Sequence, residues 1–268
     1  MPTTPTVQLE TLAREPATNA RPTPLLFVHG AWHGAWCWDE RFLPYFASRG
    51  YRSYAVSLRG HGASAAPSSA RTMRIRDYMA DVAQAAKQLD RPPVVIGHSM
   101  GGLVVQKYLE RHEAPAAILL ASVPTSGALR TTLNIARKHP LRFARANLTW
   151  KLYPFVNTPR IAREMLFSRG LPEDEVKAHW QRLQNEAYFA YLDMIAFALP
   201  RPRRVKTPML VLGAERDAIF IPREARRTAR AYGATAKLFP NMSHDMMLEP
   251  GWQSVADSMI EWLQARGV

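Results

Sequence analysis

Short apolar runs alternate with amphipathic stretches along most of this chain. Runs at the following positions predict strands: 25–30, 51–58, 93–98, 116–122, 208–217 and 236–241. Apolar residues at helical spacing predict helices at these positions: 35–50, 75–90, 101–112, 222–232 and 252–266. Strands that are apolar throughout are typical of a parallel sheet covered on both faces. The alternation therefore predicts a doubly wound, mostly parallel α/β sheet.

The alternation stops between residues 124 and 206, where the pattern is helical, basic and aromatic. We expect this segment to be a helical lid, inserted before the last two strands. It would cover the carboxyl edge of the sheet, where open α/β sheets bind ligands. The core is expected to comprise residues 24–123 and 207–268. Residues 1–23 contain several prolines and no apolar run typical of a secretory leader, so we expect a flexible arm there.

The chain carries a formal net charge of +13 over 268 residues. Its basic residues are scattered and accompany no nucleic-acid-binding motif, so solvated helix faces are favoured and a nucleic-acid partner is not expected. A weak association with anionic surfaces is the alternative. No apolar run approaches the ~18 residues of a membrane span. A single cysteine, Cys37, excludes an internal disulfide and favours a cytoplasmic location.

The sequence "GHSMG", residues 97–101, is a G-x-S-x-G motif between a predicted strand and a predicted helix. Small residues on both sides permit a sharp turn that exposes the hydroxyl of Ser99 as a nucleophile. The helix start would direct the N–H of Met100 at an oxyanion. An ordinary glycine turn is the alternative, but the strand–turn–helix context favours a nucleophile.

A serine nucleophile needs a base, and the base needs an orienting acid. Asp217 and His244 each follow a predicted strand downstream, which gives the chain order serine, aspartate, histidine. Glu215 and Asp245 are rival acids. We favour Asp217 as the acid and His244 as the base.

The sequence "FVHGAWHGAW", residues 27–36, follows the first apolar run. We expect the N–H of Ala31 to join that of Met100 as the second oxyanion donor. Trp32 and Met246 are predicted to line the substrate pocket, although a position in the hydrophobic core fits the sequence around Met246 nearly as well. Further walls of the pocket are expected among the aromatic side chains of the lid, although each of them could equally belong to the packed interior of the lid. They are Trp150, Tyr153, Phe155, Tyr188, Phe189 and Phe197. No histidine pair has metal-ligand spacing backed by carboxylates, so no metal site is expected.

Five motifs together resemble the α/β-hydrolase superfamily: "HGAWHGAW", "RGHGAS", "GHSMGG", "GAERD" and "SHDMMLE". They cover the chain from about Leu25 to its end, apart from the lid. Within the superfamily the chain is similar to bacterial carboxylesterase and lysophospholipase-like members. "HGAWHGAW" also resembles the plant methylesterase and hydroxynitrile lyase branch. The resemblance implies a Ser-His-Asp triad, an acyl-serine intermediate resolved by water, and no cofactor.

Several positions depart from particular branches of that superfamily. Ser99 replaces the aspartate nucleophile of dehalogenases and epoxide hydrolases and excludes their chemistry. Gly30 and Asp245 stand where hydroxynitrile lyases need threonine and lysine, which disfavours cyanohydrin cleavage. Trp32 replaces the proline of H-G-x-P, which disfavours perhydrolase or haloperoxidase-like activity. Ser57 replaces an aspartate common before "RGHG", and the sequence does not explain this change.

The expected function is therefore hydrolysis of carboxylic esters, with hydrophobic acyl or aryl groups, by Ser99, His244 and Asp217. The expected partner is a small-molecule ester. Alternatives that remain open are a monoacylglycerol or lysophospholipid lipase and a carbon–carbon bond hydrolase of aromatic degradation. A ligand receptor with slow turnover is a third.

Overall fold

A computed structural model, which describes residues 7–66 and 72–268, contains one seven-stranded sheet. The strands are β1 (Thr11–Arg14), β2 (Leu25–Val28), β3 (Ser53–Val56), β4 (Val94–His98), β5 (Ala117–Leu120), β6 (Met209–Ala214) and β7 (Ala236–Phe239). Their order is β1-β3-β2-β4-β5-β6-β7, and only the pairing of β1 with β3 is antiparallel. Every residue of β2, β4, β5 and β6 is buried, as expected for strands covered on both faces. The predicted α/β fold is confirmed.

Helices connect these strands. They are α1 (Trp36–Asp39), α2 (Phe42–Ser48), α3 (Ile75–Lys87), α4 (Ser99–Tyr108), α5 (Leu129–Lys138), α6 (Pro140–Thr149), α7 (Pro159–Leu166), α8 (Glu173–Trp180), α9 (Tyr188–Leu192), α10 (Pro222–Ala231) and α11 (Trp252–Gln264). Short 3₁₀ turns occupy Tyr153–Phe155 and Pro202–Arg204, and a π-helix occupies Asp193–Phe197. None of the described helices is both long and apolar enough to cross a bilayer.

The helix predicted over residues 35–50 is two helices, α1 and α2. The break lies at Arg41, whose φ of −142° is not helical. Pro44 explains it, because proline has no N–H to donate to the carbonyl of Glu40 and its ring crowds that carbonyl. The proline is tolerated in the first turn of α2, where a new helix begins.

The N-terminal segment is part of the sheet. β1 pairs with β3, and just before it the carboxylate of Glu10 accepts a hydrogen bond of 2.5 Å from the hydroxyl of Ser57. The same Ser57 oxygen accepts a hydrogen bond of 2.8 Å from the N–H of Ala35. The expectation of a flexible arm is therefore wrong where β1 forms, and residues 1–6 lie outside the described residues. These contacts also give Ser57 a role that the sequence did not explain.

The residues between β5 and β6 form the helical insert, which comprises α5 to α9 and the π-helix. Two carboxylates of the insert attach it to α3 of the core. Asp193 accepts hydrogen bonds from the side chain of Arg74 at 2.6 Å and from the N–H of Ile75 at 3.1 Å. Buried Glu186 accepts one of 2.6 Å from the hydroxyl of Tyr78. The insert is thus held to the core by charged and hydrogen-bonded groups as well as by apolar packing.

Gly101 lies where α4 crosses β2, and replacing it with alanine is expected to destabilise the protein. A Cβ there would lie 2.4 Å from the carbonyl oxygens of both Val28 and His29. These are backbone atoms of and beside β2, so helix and sheet would have to separate. We expect the free energy of unfolding to fall by about 3 kcal/mol, measured by urea denaturation. Gly170→Ala is the control, because its nearest neighbour atom is 3.5 Å away; equal losses in both variants would contradict this explanation.

Candidate active site

Ser99 is the first residue of α4, directly after β4. Its φ of 51° lies in the left-handed region, which is strained for a residue with a side chain. The turn also needs Gly97, where a Cβ would lie 2.5 Å from the carbonyl oxygen of Gly101. At Gly30 a Cβ would lie 2.9 Å from the Cβ of Ser99. Gly97 therefore permits the sharp turn by avoiding a clash with the backbone of α4, and Gly30 leaves room for the side chain of Ser99.

His244 lies between Ser99 and Asp217. Its Nε2 is 2.9 Å from the Ser99 Oγ, so the hydroxyl can donate to it. Its Nδ1–H donates to Oδ2 of Asp217 at 2.9 Å. The other carboxylate oxygen of Asp217 accepts hydrogen bonds from the N–H groups of Ile219 and Phe220 at 2.7 and 3.0 Å. The structure thus brings the predicted serine, histidine and aspartate together in one hydrogen-bonded chain.

The environment of His244 favours its protonated form. Complete burial lowers the pKa of the imidazole, but the charge of Asp217 and its hydrogen bond raise it, and Asp245 adds to the rise. The net result is a pKa above the ordinary value of 6.5. A histidine in this position can accept a proton from Ser99 and hold it beside a carboxylate.

Asp245, the rival acid, contacts a different histidine. Its Oδ2 lies 3.0 Å from Nε2 of His33, and Nδ1 of His33 lies 2.8 Å from the carbonyl oxygen of Ala31. Burial would raise the pKa of Asp245, but His33 and, less strongly, His98 and His244 hold it below its ordinary value. Asp245 and His33 therefore fix the peptide that follows Ala31. The other rival acid, Glu215, is exposed.

His98 supports the backbone of His244. Its Nε2–H donates to the carbonyl oxygen of His244 at 3.0 Å, and the two rings lie 4.8 Å apart. Burial and the neighbouring charge of His244 lower the pKa of His98 to about 3, so its ring is neutral. The role of His33 was not predicted from the sequence. The available signal was the repeat of His-Gly-Ala-Trp, which places a second histidine just beyond the predicted oxyanion donor.

The two amides predicted as oxyanion donors are those of Ala31 and Met100. Over residues 7–66 and 72–268, neither N–H donates to a protein acceptor. Met100 is the second residue of α4, where helix amides have no partner within the helix. Ala31 is followed by Trp32, whose φ of 67° turns the chain sharply at this point. Both amides are therefore free to bind a substrate oxygen.

The residues predicted as pocket walls differ in their positions. Trp150 is 47% exposed, stacks on Tyr188 at 5.8 Å and meets the edge of Phe189 at 5.6 Å. Tyr188 belongs to a small apolar cluster against which Trp32 packs, so these aromatic side chains form one group that reaches Trp32, the residue after Ala31. Tyr153 is partly buried against the main core. Met246 is fully buried in that core, which favours the core role that the sequence left open.

One group of side chains near the serine could hold a metal ion. Potential ligand atoms of His98, His244 and Asp245 lie within 4.8 Å of one another. However, both ring nitrogens of His244 already have protein partners, Ser99 and Asp217. A metal ion bound here would have to displace one of them, so this group suits hydrogen bonding better than metal coordination.

Comparisons with known proteins identify relatives along most of the chain. A family model described as "Alpha/beta hydrolase family" matches residues 25–257. The chain is 43% identical over 105 residues to a non-heme chloroperoxidase of Streptomyces lividans, a match that covers 38% of this chain and only 37% of that protein. It is 29% identical over 242 residues to a non-heme chloroperoxidase of Burkholderia pyrrocinia, covering 84% and 86% of the two chains.

Solved structures with the same fold carry different names. A thermophilic esterase from Thermogutta terrifontis has a TM-score of 0.76 at 18% identity, covering 98% of this chain and 95% of that one. A putative non-heme bromoperoxidase from Mycobacterium tuberculosis also has a TM-score of 0.76, at 21% identity, covering 98% and 97%. At these identities the likeness concerns the fold. The names of the relatives include both esterases and haloperoxidases.

Proposed function

The chain belongs to the alpha/beta hydrolase family, and we propose that it is a serine hydrolase that cleaves carboxylic esters. The observation that carries the proposal is the position of His244. Its two ring nitrogens lie 2.9 Å from the hydroxyl of Ser99 and 2.9 Å from the carboxylate of Asp217. A serine hydroxyl with a base and an orienting acid in this order is equipped for acyl transfer.

In the proposed reaction the Oγ of Ser99 attacks the acyl carbon while its proton passes to Nε2 of His244. The carbonyl oxygen becomes an oxyanion, which the N–H groups of Ala31 and Met100 stabilise; loss of one such donor typically costs ~100- to 1,000-fold in rate. The imidazolium gives its proton to the leaving alkoxide, and the alcohol departs. Water, deprotonated by His244, then attacks the acyl-serine and releases the carboxylic acid and free Ser99. Asp217 stabilises the imidazolium throughout.

We propose that the substrate is an ester with a hydrophobic acyl or aryl group and that the helical insert acts as a lid. The aromatic group formed by Trp150, Tyr188, Phe189 and Trp32 supports this choice, because apolar walls bind apolar substrate groups. Lipases and carbon–carbon bond hydrolases can use the same three side chains. The substrate profile therefore distinguishes these alternatives.

The test is hydrolysis of p-nitrophenyl esters from acetate to palmitate, combined with labelling by a fluorophosphonate. We expect sustained turnover and labelling at Ser99. A rise in rate only above the solubility limit of the ester would indicate a lipase. Activity on ring-opened diketones but not on esters would indicate a carbon–carbon bond hydrolase. Labelling without sustained turnover would indicate a receptor and overturn the proposal.

The names of the haloperoxidase relatives favour a second candidate function, perhydrolysis. Hydrogen peroxide would replace water in attacking the acyl-serine, which would release a peroxyacid and free Ser99; the peroxyacid would then oxidise bromide. Trp32 stands in place of the proline of H-G-x-P, and this replacement disfavours perhydrolysis. We expect bromination of monochlorodimedone with acetate, peroxide and bromide to be much slower than ester hydrolysis. The reverse order of rates would favour the second candidate.

The pH dependence of kcat/KM for a neutral ester is expected to report on His244. Protonated imidazole cannot accept the proton of Ser99, so activity should be lost as the pH falls through the pKa of His244. Because Asp217 and Asp245 raise that pKa, the midpoint should lie above 6.5. A plateau that extends well below pH 6.5 would contradict the assignment of His244 as the base.

A further inference from the structure

The helical insert exposes large apolar side chains to solvent. All such exposed side chains among residues 7–66 and 72–268 belong to the insert: Leu129, Leu133, Leu141, Leu148, Trp150, Phe197 and Leu199. Leu141 and Leu148 are 86% and 84% exposed and stand two turns apart on one face of α6. Leu129 and Leu133, 51% and 62% exposed, stand one turn apart on α5. Large apolar side chains exposed in number on two consecutive helices are typical of an interaction site.

The same two helices are rich in unpaired cations. No acidic residue occurs between Glu113 and Glu164. Exposed basic side chains on the two helices, and one just after α6, form no ion pair within the described parts of the chain: Arg137, Lys138 and Arg145, and then Lys151. In this segment Arg130 and His139 do have carboxylate partners, on α10 and α7 respectively. The outer surface of α5 and α6, meaning their solvent-exposed residues, thus combines leucines with cations that pair with no carboxylate among the described residues.

The inner surface of the two helices faces the candidate active site. Ile135 of α5 and Phe143 and Ala146 of α6 pack in the small apolar cluster that includes Tyr188 and contacts Trp32. Trp32 directly follows the predicted oxyanion donor Ala31. One side of the helix pair therefore faces the candidate active site, and the other side, the outer surface, faces solvent.

We propose that the outer surface of α5 and α6 docks on an anionic lipid bilayer. Leu133, Leu141 and Leu148 would enter the headgroup boundary, and the neighbouring cations would bind the anionic headgroups; helices with apolar and basic side chains behave in this way. Each cation near such a surface contributes about fivefold to the partition coefficient. A second copy of the chain fits less well, because a symmetric contact would place the same unpaired cations against each other. Docking does not depend on the proposed hydrolase activity.

The test is cosedimentation of the full chain with vesicles of mixed phosphatidylglycerol and phosphatidylcholine, or of phosphatidylcholine alone. The Ser99→Ala background prevents any consumption of lipid. We expect binding to the anionic vesicles, weakened by salt, and at least about tenfold weaker binding to the neutral ones. The double substitution Leu141→Ser and Leu148→Ser should weaken binding to the anionic vesicles about tenfold. Both side chains are exposed, so the fold should be preserved, as circular dichroism can verify.

A matched pair of charge reversals separates a specific surface from a general effect of net charge. Arg137→Glu with Arg145→Glu changes the docking surface, whereas Lys87→Glu with Arg111→Glu makes the same charge change at exposed positions of the core. Only the first pair should abolish binding. Equal losses would show attraction by net charge alone and overturn the proposal. So would absence of binding, or a dimer in sedimentation velocity that the leucine substitutions dissociate.

Discussion

Replacement of Ser99 by alanine is expected to lower kcat for p-nitrophenyl ester hydrolysis about 10⁵-fold, because no acyl-serine can form. The unfolding free energy should change by less than about 1 kcal/mol, since alanine and serine are similarly strained at a φ of 51°. Steady-state kinetics and urea denaturation measure the two quantities. Ser48→Ala, at an exposed serine of α2, is the control and should keep full activity. A Ser99→Ala variant within about tenfold of the parent would show that another group attacks the ester.

Two aspartates near His244 should respond differently to substitution by asparagine. Asp217 accepts the Nδ1–H of His244, and an asparagine there can instead donate to Nδ1 and favour the wrong tautomer. We expect Asp217→Asn to lower kcat about 10⁴-fold while the protein stays folded. The midpoint of the pH profile should also fall, because the charge that raises the pKa of His244 is lost.

Asp245→Asn should mainly reduce stability. Asp245 is paired with buried His33, and breaking a buried pair typically costs about 3 kcal/mol in unfolding free energy. Its effect on kcat should be far smaller than that of Asp217→Asn, because Asp245 does not contact Nδ1 of His244. Kinetics and urea denaturation of the two variants, side by side, test the assignment. A large loss of kcat at Asp245 with unchanged stability would make Asp245 the orienting acid.

The parallel arrangement of the strands explains why Ser99, Asp217 and His244 could be predicted as a set. Each follows a short apolar strand, and the carboxyl ends of parallel strands lie along one edge of the sheet. Strand identity is encoded locally, in a few consecutive apolar residues. Glu215 and Asp245 were rivals in the sequence because they are neighbours of the favoured residues, and only side-chain directions separate them.

The structural features that the sequence did not predict depend on contacts between residues far apart in the chain. β1 has mostly exposed side chains and too few apolar residues to show a strand pattern, so its pairing with β3 creates it. The contact between His33 and Asp245 joins residues 212 positions apart. No local pattern in either segment indicates such a contact.

By itself, the sequence determined the alternation of strands and helices, the place of the insert and the order of Ser99, Asp217 and His244 along the chain, because each is set by a few neighbouring residues. Tertiary structure alone decided which carboxylate contacts which imidazole, how the N-terminal strand pairs with the sheet, and which faces of α5 and α6 are exposed to solvent. These outcomes depend on how distant segments pack together, and packing is settled only when the whole chain is folded.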